Sequence, residues 1–487
     1  MKYEPVIGLE IHTELKTKTK MFCYSLNDPD EKHPNINICP VCMGHPGTLP
    51  VINQEAVEKV IKAGLALNGE IPEFSQFDRK NYFYPDLPKG YQISQYQHPL
   101  VKGGWLDIDG RRVRIRRIHL EEDTGRLIHD SKTDSSLVDF NRAGVPLLEL
   151  VTEPDLHTGG EIKNFGEELQ RILRYLDVSD ADMEKGQLRV EVNLSLQPEG
   201  SNELGVKVEI KNINSFKFAA DAVDYEIARQ TKLLEQGEKI KAETRGWSES
   251  RRETFSQRRK EEDYDYRYFP EPDLPPLKIS TELIEALRAK LPELPEDKRI
   301  RFAKEYGMDQ EAIETLLKDK KFANYFEETV SELRAHLKES PIGLQKDLIK
   351  LVASAVIGDL QGLLKETSTA ITDLGITPEN FAELILYLGQ DKISNLVFKK
   401  VLEEMFSSKE DPAEIIERLG LWQISDTKDL EDMARHIVRE NSRAVADYHR
   451  GKEISLQFLV GQVMKESRGK ANPKIIQAIL KKIIKDV

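Results

Sequence analysis

The chain opens with alternating apolar and polar residues that predict a β-strand from Val6 to Leu15. The apolar residues occupy every second position and form one face, while the other face carries Glu10, His12 and Glu14. Neighbours on one strand face lie about 6.6 Å apart at the backbone, so their side chains can converge on one cation. We therefore expect this face to bind a ligand.

Alternating segments recur up to about residue 280, and residues 188–196 and 206–211 are the clearest of them. The Pro-, Gly-, Ser- and Asn-containing stretch between these two predicts the loop of a hairpin. Helical periodicity is confined to Glu161–Leu176 and Phe216–Gln236 in this region. Strands interspersed with few helices are typical of an α+β domain with an antiparallel sheet, rather than of a βαβ array.

A proline-rich stretch from Phe269 to Pro276 ends the alternation, and helical periodicity dominates the remainder, as in Thr281–Leu291 and Gln345–Lys365. A second break falls at Ser407–Pro412. We expect an α+β domain followed by two all-α domains, with boundaries 1–290, 291–409 and 410–487.

Composition restricts the class of protein. Of the 487 residues 32% are charged, and there is no apolar run of the roughly 18 residues that a membrane span requires. The N-terminus lacks an apolar signal region, and three cysteines are too few for a disulfide framework. We expect a cytoplasmic protein with no membrane segment.

Charge is unevenly distributed along the chain. The net charge is -13, yet residues 433–487 contain 12 lysines and arginines against 5 acidic residues. A basic terminal module on an acidic body is typical of a protein that binds a polyanion. A solvated helical surface explains the charge equally well.

Further acidic residues extend the ligand hypothesis. Within segment 145–154, Glu149 is flanked on both sides by apolar residues, where an unpaired carboxylate is costly to bury. Segment 119–123 carries a histidine and three acidic residues, and Glu191 and Glu209 lie on the polar face of the hairpin. Carboxylates with one histidine and no cysteine favour Mg²⁺ over Zn²⁺. The alternative for each glutamate is a solvated or salt-bridged side chain.

The cysteines offer a second candidate site. Cys39 and Cys42 form a C-x-x-C knuckle, and Cys23 precedes it by 16 residues. This spacing is typical of zinc, although metal-free cysteines or a redox pair remain open. A fourth ligand is not evident; the residues within chain reach are Ser25, His33 and His45.

Segment 78–94 mixes basic residues, aromatics, proline and glycine. It predicts either a loop that contacts phosphates or bases through residues such as Lys80 and Tyr82, or a packed surface loop. The chain has no G-x-x-x-x-G-K-[ST] loop and no G-x-S-x-G elbow. Any nucleotide must therefore be bound without a Walker motif.

Long motifs resemble the B subunit of the tRNA-dependent amidotransferase GatCAB. They occur in the family's order from residue 4 to the C-terminus, at Val6–His12, Asp78–Asp86, Tyr91–Ser94, His119–Gly125, Ser136–Arg142, Lys211–Phe216, Asp265–Asp273 and Phe458–Met464.

The resemblance implies a reaction. An A subunit, GatA, releases ammonia from glutamine; the B subunit uses ATP and Mg²⁺ to phosphorylate the side-chain carboxylate of Glu on tRNA(Gln) or Asp on tRNA(Asn). Ammonia then displaces the phosphate, and GatC completes the complex. It also implies a cradle-shaped catalytic domain, a helical domain and a tail that contacts tRNA. The alternative is a non-catalytic tRNA-binding scaffold with a structural metal site.

The resemblance also implies roles for individual residues. Lys80 corresponds to a lysine at the mouth of an ammonia tunnel, and Ser25 replaces one cysteine of the zinc-bearing relatives' C-x-C…C-x-x-C set. Strand phase alone favours Glu121, but the resemblance favours its neighbour Glu122. The implied magnesium ligands are Glu10, His12, Glu122 and Glu149, with Glu191 nearby. The implied tRNA contacts are Lys474, Lys481, Lys482 and Lys485 on a helix from Pro473 to Val487.

Overall fold

The computed structural model describes residues 2–130, 135–201, 203–259, 265–337, 342–423, 427–467 and 469–485. The chain divides into two compact units, Met1–Pro295 and Glu296–Val487. The first combines a large sheet with helices and the second is helical, so the predicted fold class is confirmed. The finer domain boundaries at 290 and 410 stay predictions.

The first unit is built mainly from strands. Within the described residues these are β1 (Tyr3–Glu14), β2 (Phe74–Ser75), β3 (Asp78–Asn81), β4 (Tyr91–Ser94), β5 (Val101–Lys102), β6 (Trp105–Ile108), β7 (Arg111–Glu122), β8 (Arg126–Asp130), β9 (Ser135–Asp139), β10 (Pro146–Thr152), β11 (Leu188–Pro198), β12 (Val208–Ile213), β13 (Glu243–Ser248), β14 (Glu253–Arg259), β15 (Phe269–Pro270) and β16 (Leu277–Lys278).

Nine of these strands form one sheet, in the order β14-β13-β12-β11-β1-β10-β7-β5 with β6 also paired to β7. Its pairings are antiparallel except for β12 with β13, which run parallel because a helix connects them. The predicted hairpin is confirmed as the antiparallel pair β11–β12. The two ends of segment 78–94 are strands of a small sheet in the order β15-β3-β4, so the loop prediction was wrong there and is confirmed for residues 82–90.

One face of the large sheet forms the core. In β1 the side chains of Ile7, Leu9 and Ile11 are fully buried, together with apolar residues of β10 and β11. The helices packed on this face include α1 (Gln54–Ala66), α2 (Gly159–Tyr175) and α3 (Phe216–Glu235), and α4 (Thr281–Arg288) packs against α1. The opposite face carries the polar residues, because side chains alternate along each strand.

Capping fixes where α2 and α3, two of the predicted helices of this unit, begin. The Thr158 hydroxyl accepts a hydrogen bond from the backbone N–H of Glu161, whose carboxylate accepts from the backbone of Thr158, closing a capping box. Ser215 caps α3 in the same way through Phe218 N–H. Both predicted helices are confirmed to within two residues.

The second unit is helical throughout the described residues. Two π-helical segments interrupt it, Phe302–Tyr306 and Val356–Leu360, and the second divides the predicted helix 345–365 into two. The α-helices are α5 (Pro295–Arg301), α6 (Gln310–Leu317), α7 (Lys320–His336), α8 (Ile342–Ala355), α9 (Gln361–Glu366), α10 (Pro378–Gly389), α11 (Asn395–Ser408), α12 (Pro412–Arg418), α13 (Thr427–Glu440), α14 (Ser442–His449), α15 (Glu453–Glu466) and α16 (Pro473–Lys485).

The last four helices share an apolar core of their own, which includes Leu430, Leu459 and Leu480. The predicted final helix is present as α16, while residues 486 and 487 lie outside the described part. No helix in the described ranges is long and apolar enough to cross a membrane.

Candidate metal centre

Three neighbouring strands bring acidic and imidazole side chains together on the polar face of the sheet. His12 of β1 pairs with Glu149 of β10, and Glu149 pairs in turn with His119 of β7. Directly paired residues project from the same face about 5 Å apart. Glu10 and Glu121 lie two positions along their strands from His12 and His119, so they share this face.

The side-chain atoms meet around Glu149. His12 Nε2 lies 3.4 Å from Glu149 Oε2, 3.6 Å from Glu121 Oε1 and 3.8 Å from Glu10 Oε1. His119 Nε2 lies 3.1 Å from Glu149 Oε2 and 3.8 Å from Glu121 Oε2. Glu121 and Glu149 are 3% and 7% exposed, so these charges are held largely away from water.

Burial and mutual repulsion shift the ionisation of the cluster. Burial, with the charges of Glu149 and Glu191, raises the pKa of Glu10 to about 6. Burial alone would lower the pKa of His12 and His119, but the neighbouring carboxylates raise both pKa values to about 9. Burial opposes ionisation of Glu149 as well, yet the two imidazoles hold its pKa well below the usual range. The buried carboxylates therefore need nearby positive charge in order to stay ionised.

The donor set fits a divalent cation. Glu10, His12 and Glu149 form one group whose ligand atoms lie within 4.8 Å of one another, and His119, Glu121 and Glu149 form a second. Carboxylate oxygens are the ligands preferred by hard cations such as Mg²⁺. A cation here would supply the positive charge that the protonated imidazoles otherwise provide.

The expected ligand Glu122 is not part of this cluster. It follows Glu121 directly, so its side chain leaves the opposite face of β7. There its carboxylate accepts hydrogen bonds from Lys89 Nζ at 2.5 Å and from the backbone N–H of Ile93 at 2.9 Å. Glu122 thus anchors β4, and Glu121 occupies the position expected of it, in agreement with strand phase.

Glu191 and Glu14 lie beside the cluster. Glu191 pairs directly with Glu10 across β1 and β11, but its carboxylate lies 2.7 Å from Lys211 Nζ. Glu14 belongs to neither of the two candidate ligand groups. Burial, together with repulsion from Asp123, raises the pKa of Glu14 to about 7. Both therefore belong to the surroundings of the site.

Lys80 faces the cluster from β3. Its Nζ lies 5.0 Å from the ring centre of Tyr266 and 5.9 Å from that of Tyr82. Burial would lower the pKa of Lys80, but Glu121, Tyr268 and Glu149 raise it, so the ammonium stays charged. The charges of Glu121 and Glu149 therefore act on Lys80, while its role at the mouth of an ammonia tunnel stays a prediction.

Sequence reasoning did not single out His119 as a ligand. Its position was available from the alternation that begins at Val113, which puts His119 and Glu121 on one strand face. The sequence alone does not show which strand pairs with β7. The pairing of β7 with β10 is what places His119 and Glu121 next to Glu149.

The three cysteine sulfurs also meet, within 4.8 Å of one another. Lys20 is fully buried beside them, with Nζ 3.8 Å from Cys42 Sγ and 3.2 Å from the carbonyl oxygen of Phe140. A hydrogen bond with Cys23, followed by the charge of Lys20, lowers the pKa of the Cys42 thiol to about 4 against the effect of burial. One thiolate is therefore stabilised here.

The candidate fourth ligands differ in position. Ser25 Oγ lies 3.9 Å from Cys42 Sγ. His45 lines a small cavity together with Cys23 and Cys42. The His33 ring nitrogen Nδ1 instead lies 2.9 Å from Glu31 Oε1, in an exposed loop. Geometry therefore favours Ser25 or His45 over His33.

The chain matches known protein families along most of its length. A family model described as "GatB/GatE catalytic domain" matches residues 5–285, and one described as "GatB domain" matches residues 338–484. These two matches cover the sheet unit and most of the helical unit.

Similar curated proteins carry the name of the B subunit of an aspartyl/glutamyl-tRNA(Asn/Gln) amidotransferase. The one from Carboxydothermus hydrogenoformans is 48% identical over 487 residues, covering 99% of this chain and 98% of that protein. Those from Caldanaerobacter subterraneus subsp. tengcongensis and Thermotoga maritima are 47% and 45% identical over 485 and 492 residues. Each of these two alignments covers 99% of both chains.

Neighbouring glutamates on β7 provide a matched test of the metal centre. We expect Glu121→Gln to weaken Mn²⁺ binding, measured by titration calorimetry, at least tenfold, because it removes a buried anionic donor. Glu122→Gln should leave the Mn²⁺ affinity within about twofold, since Glu122 faces away from the site. The reverse ranking of the two variants would refute this ligand set.

Proposed function

The chain belongs to the GatB family of amidotransferase subunits, and from that premise we propose that its glutamate–histidine cluster is where an aminoacyl-tRNA carboxylate is activated. As a member of this family it is one subunit of an ATP-using, glutamine-hydrolysing aminoacyl-tRNA amidotransferase that serves translation. The proposed substrates are Glu on tRNA(Gln), Asp on tRNA(Asn), or both.

The proposed chemistry has two steps. A carboxylate oxygen of the aminoacyl side chain attacks the γ-phosphorus of ATP, which forms an acyl phosphate and releases ADP. The nitrogen of ammonia then attacks the acyl carbon, the carbon–oxygen bond breaks, and inorganic phosphate leaves with the side-chain amide formed. Both reactants of the first step are anions, so positioning and positive charge dominate catalysis.

The observation that carries this proposal is the buried anionic cluster around Glu149. Glu10, His12 and Glu149, with Glu121 and His119 beside them, are the residues that would hold Mg²⁺. When bound, Mg²⁺ would offset the repulsion between the two reacting anions. The side chains of Glu10 and His12 are 32% and 15% exposed, which leaves this side of the cluster open to a substrate.

We propose that Lys80 acts where the amine arrives. Its ammonium remains charged beside Glu121 and Glu149, under the rings of Tyr82 and Tyr266. A fixed positive charge at this point repels NH₄⁺ while neutral NH₃ passes, and NH₃ is the nucleophilic form. The scaffold alternative leaves both Lys80 and the open side of the metal centre without a role.

The test of the function is amidation by the complex reconstituted with its glutaminase and small subunits. We expect the wild type to form ADP only when misacylated tRNA is present, and to convert Glu-tRNA(Gln) or Asp-tRNA(Asn) to the amide. Glu149→Gln should lower tRNA-dependent ADP formation at least 100-fold, because both metal groups share this carboxylate. Full ADP formation by Glu149→Gln would support a scaffold with a structural metal.

A second variant in the same experiment separates activation from amine delivery. Lys80→Met should still hydrolyse glutamine and form ADP, but should form less amide for each glutamine consumed. Unchanged coupling between the two reactions would remove Lys80 from the proposed role.

We also propose that Cys23, Cys39 and Cys42 bind zinc. Three thiolates and Zn²⁺ carry a net charge of minus one, and the buried ammonium of Lys20 at 3.8 Å from Cys42 Sγ balances it. Ser25, His45 or a solvent molecule would complete the tetrahedron.

Metal analysis tests the zinc assignment. We expect about one zinc for each purified chain, and loss of that zinc in Cys42→Ala, because a structural site depends on all of its thiolates. His33→Ala should retain zinc, since His33 pairs with Glu31 instead. A wild-type content far below one zinc per chain would refute the assignment.

The proposed partners are the amidase subunit GatA, the small subunit GatC and the misacylated tRNA. For tRNA the support lies in α16, where Lys474, Lys481, Lys482 and Lys485 are exposed on the side opposite the buried Ile476 and Leu480. One helix side thus presents a row of cations suited to phosphates.

Replacing these four lysines by glutamine should weaken tRNA binding and reduce its salt dependence together. Each lost phosphate contact lowers the slope of log affinity against log salt by roughly 0.7 to 0.9, the range between single strands and B-form duplexes. The matching lysine-to-arginine variant should keep both properties, because it keeps the charges. Full affinity and an unchanged slope in the glutamine variant would exclude this surface.

A further inference from the structure

Arg117 is a cation on the polar face of the sheet that has no anionic partner among the described residues. Lys211 pairs with Glu191 and Arg189 pairs with Asp123, but the guanidinium of Arg117 takes part in no ion pair or hydrogen bond in the described ranges. Its Nε is buried and unsatisfied. The side chain as a whole is half-buried, and because arginine keeps its charge, a bound anion would satisfy the unpaired Nε–H.

The pairing register places Arg117 on the same sheet face as the metal centre, one row away from it. Glu10 pairs with Val151, and Val151 pairs with Arg117, so the three residues form one row across β1, β10 and β7. The adjacent row consists of His12, Glu149 and His119. Strands are spaced about 4.8 Å apart, so roughly 10 Å separates the backbones of Glu10 and Arg117. The space over Val151 is therefore flanked by a metal ligand and a free guanidinium.

Aromatic side chains contact the guanidinium of Arg117. Its guanidinium carbon lies 5.9 Å from the ring centre of Tyr96, which stacks on Tyr268 at 4.3 Å between ring centres. The Tyr268 ring centre lies 6.2 Å from that of Tyr266, which in turn lies 5.0 Å from Lys80 Nζ, so these rings connect Arg117 to Lys80. Stacking against an aromatic ring orients a guanidinium and leaves its N–H fork free.

We propose that Arg117 binds the terminal phosphate of ATP, over Val151 and next to the cation held by Glu10, His12 and Glu149. The planar guanidinium of arginine can donate two parallel hydrogen bonds to phosphate oxygens. Such a contact would hold the γ-phosphoryl group of ATP, which is the group transferred. The inference rests on the proposed function and assigns a substrate-binding residue to it.

The experiment compares a non-hydrolysable ATP analogue with ADP, both with Mg²⁺, in equilibrium binding to the reconstituted complex. Arg117→Met should weaken binding of the analogue on the order of 10- to 100-fold and change ADP affinity less than twofold, since ADP lacks the contacted phosphate. Arg117→Lys should fall between the wild type and Arg117→Met, because it keeps the charge and loses the fork.

The adjacent residue provides the matched control. Arg116 projects from the other face of β7, is exposed and pairs with Glu153 at 2.8 Å, so Arg116→Met should leave both affinities unchanged. Equal losses for the analogue and ADP, or no loss for either, would overturn the proposal. Should Arg117→Met fail to assemble, Arg117→Lys decides, because an unchanged ratio of the two affinities in that variant would equally overturn it.

The failure of this inference is distinct from failure of the function. A wild-type complex that forms no tRNA-dependent ADP would refute the proposed function. A wild type that forms ADP, combined with Arg117 variants that bind the analogue normally, would refute only the role of Arg117. A selective loss of affinity for aminoacyl-tRNA in Arg117→Met would assign the guanidinium to the aminoacyl carboxylate and likewise overturn the phosphate assignment.

Discussion

Repulsion between buried carboxylates on one face of the central sheet is the constraint around which the first unit is organised. Two unit charges 4 Å apart interact by roughly 4 kcal/mol at an effective dielectric constant of about 20, so Glu10, Glu121 and Glu149 cannot share a poorly hydrated site unaided. In the protein alone, His12 and His119 supply the compensation as imidazolium ions. The opposite face contributes the burial of apolar residues that holds the strands, and thus the charges, in place.

This arrangement divides labour between the two faces of the same strands. Ile7, Leu9 and Ile11 stabilise the fold by their burial. Glu10 and His12, which alternate with them, face the candidate metal centre instead. The polar face is less fully compensated, because neither Arg117 nor Lys80 forms a close ion pair within the described residues. Such incomplete compensation is typical of a site completed by its ligands.

The sequence predicted the strand β1, the hairpin β11–β12, helices α2 and α3 and the change to helical structure, because each is encoded by local periodicity and capping. Strand alternation placed Glu10 and His12 on one face, and the family resemblance added Glu149 to them. The pairing register of β7 could not be predicted from local sequence, because it depends on the distant strand β10, which carries Glu149. The family resemblance favoured Glu122, and simple alternation was the better guide to which side chain faces the cluster. The parallel β12–β13 pair and the π-helical turns had no recognisable local signal.

The contrary orientation of Glu121 and Glu122 has a consequence for how this protein tolerates change. A one-residue insertion or deletion within β7 would exchange every inward and outward side chain beyond it. The glutamate–histidine cluster would then lose His119 and Glu121. The hydrogen bonds from Glu122 to Lys89 and to Ile93 of β4 would be lost in the same event. A point substitution in β7 changes one side chain, whereas a change in its length reorients all the side chains that follow. We therefore expect insertions to accumulate in the loops rather than in this strand.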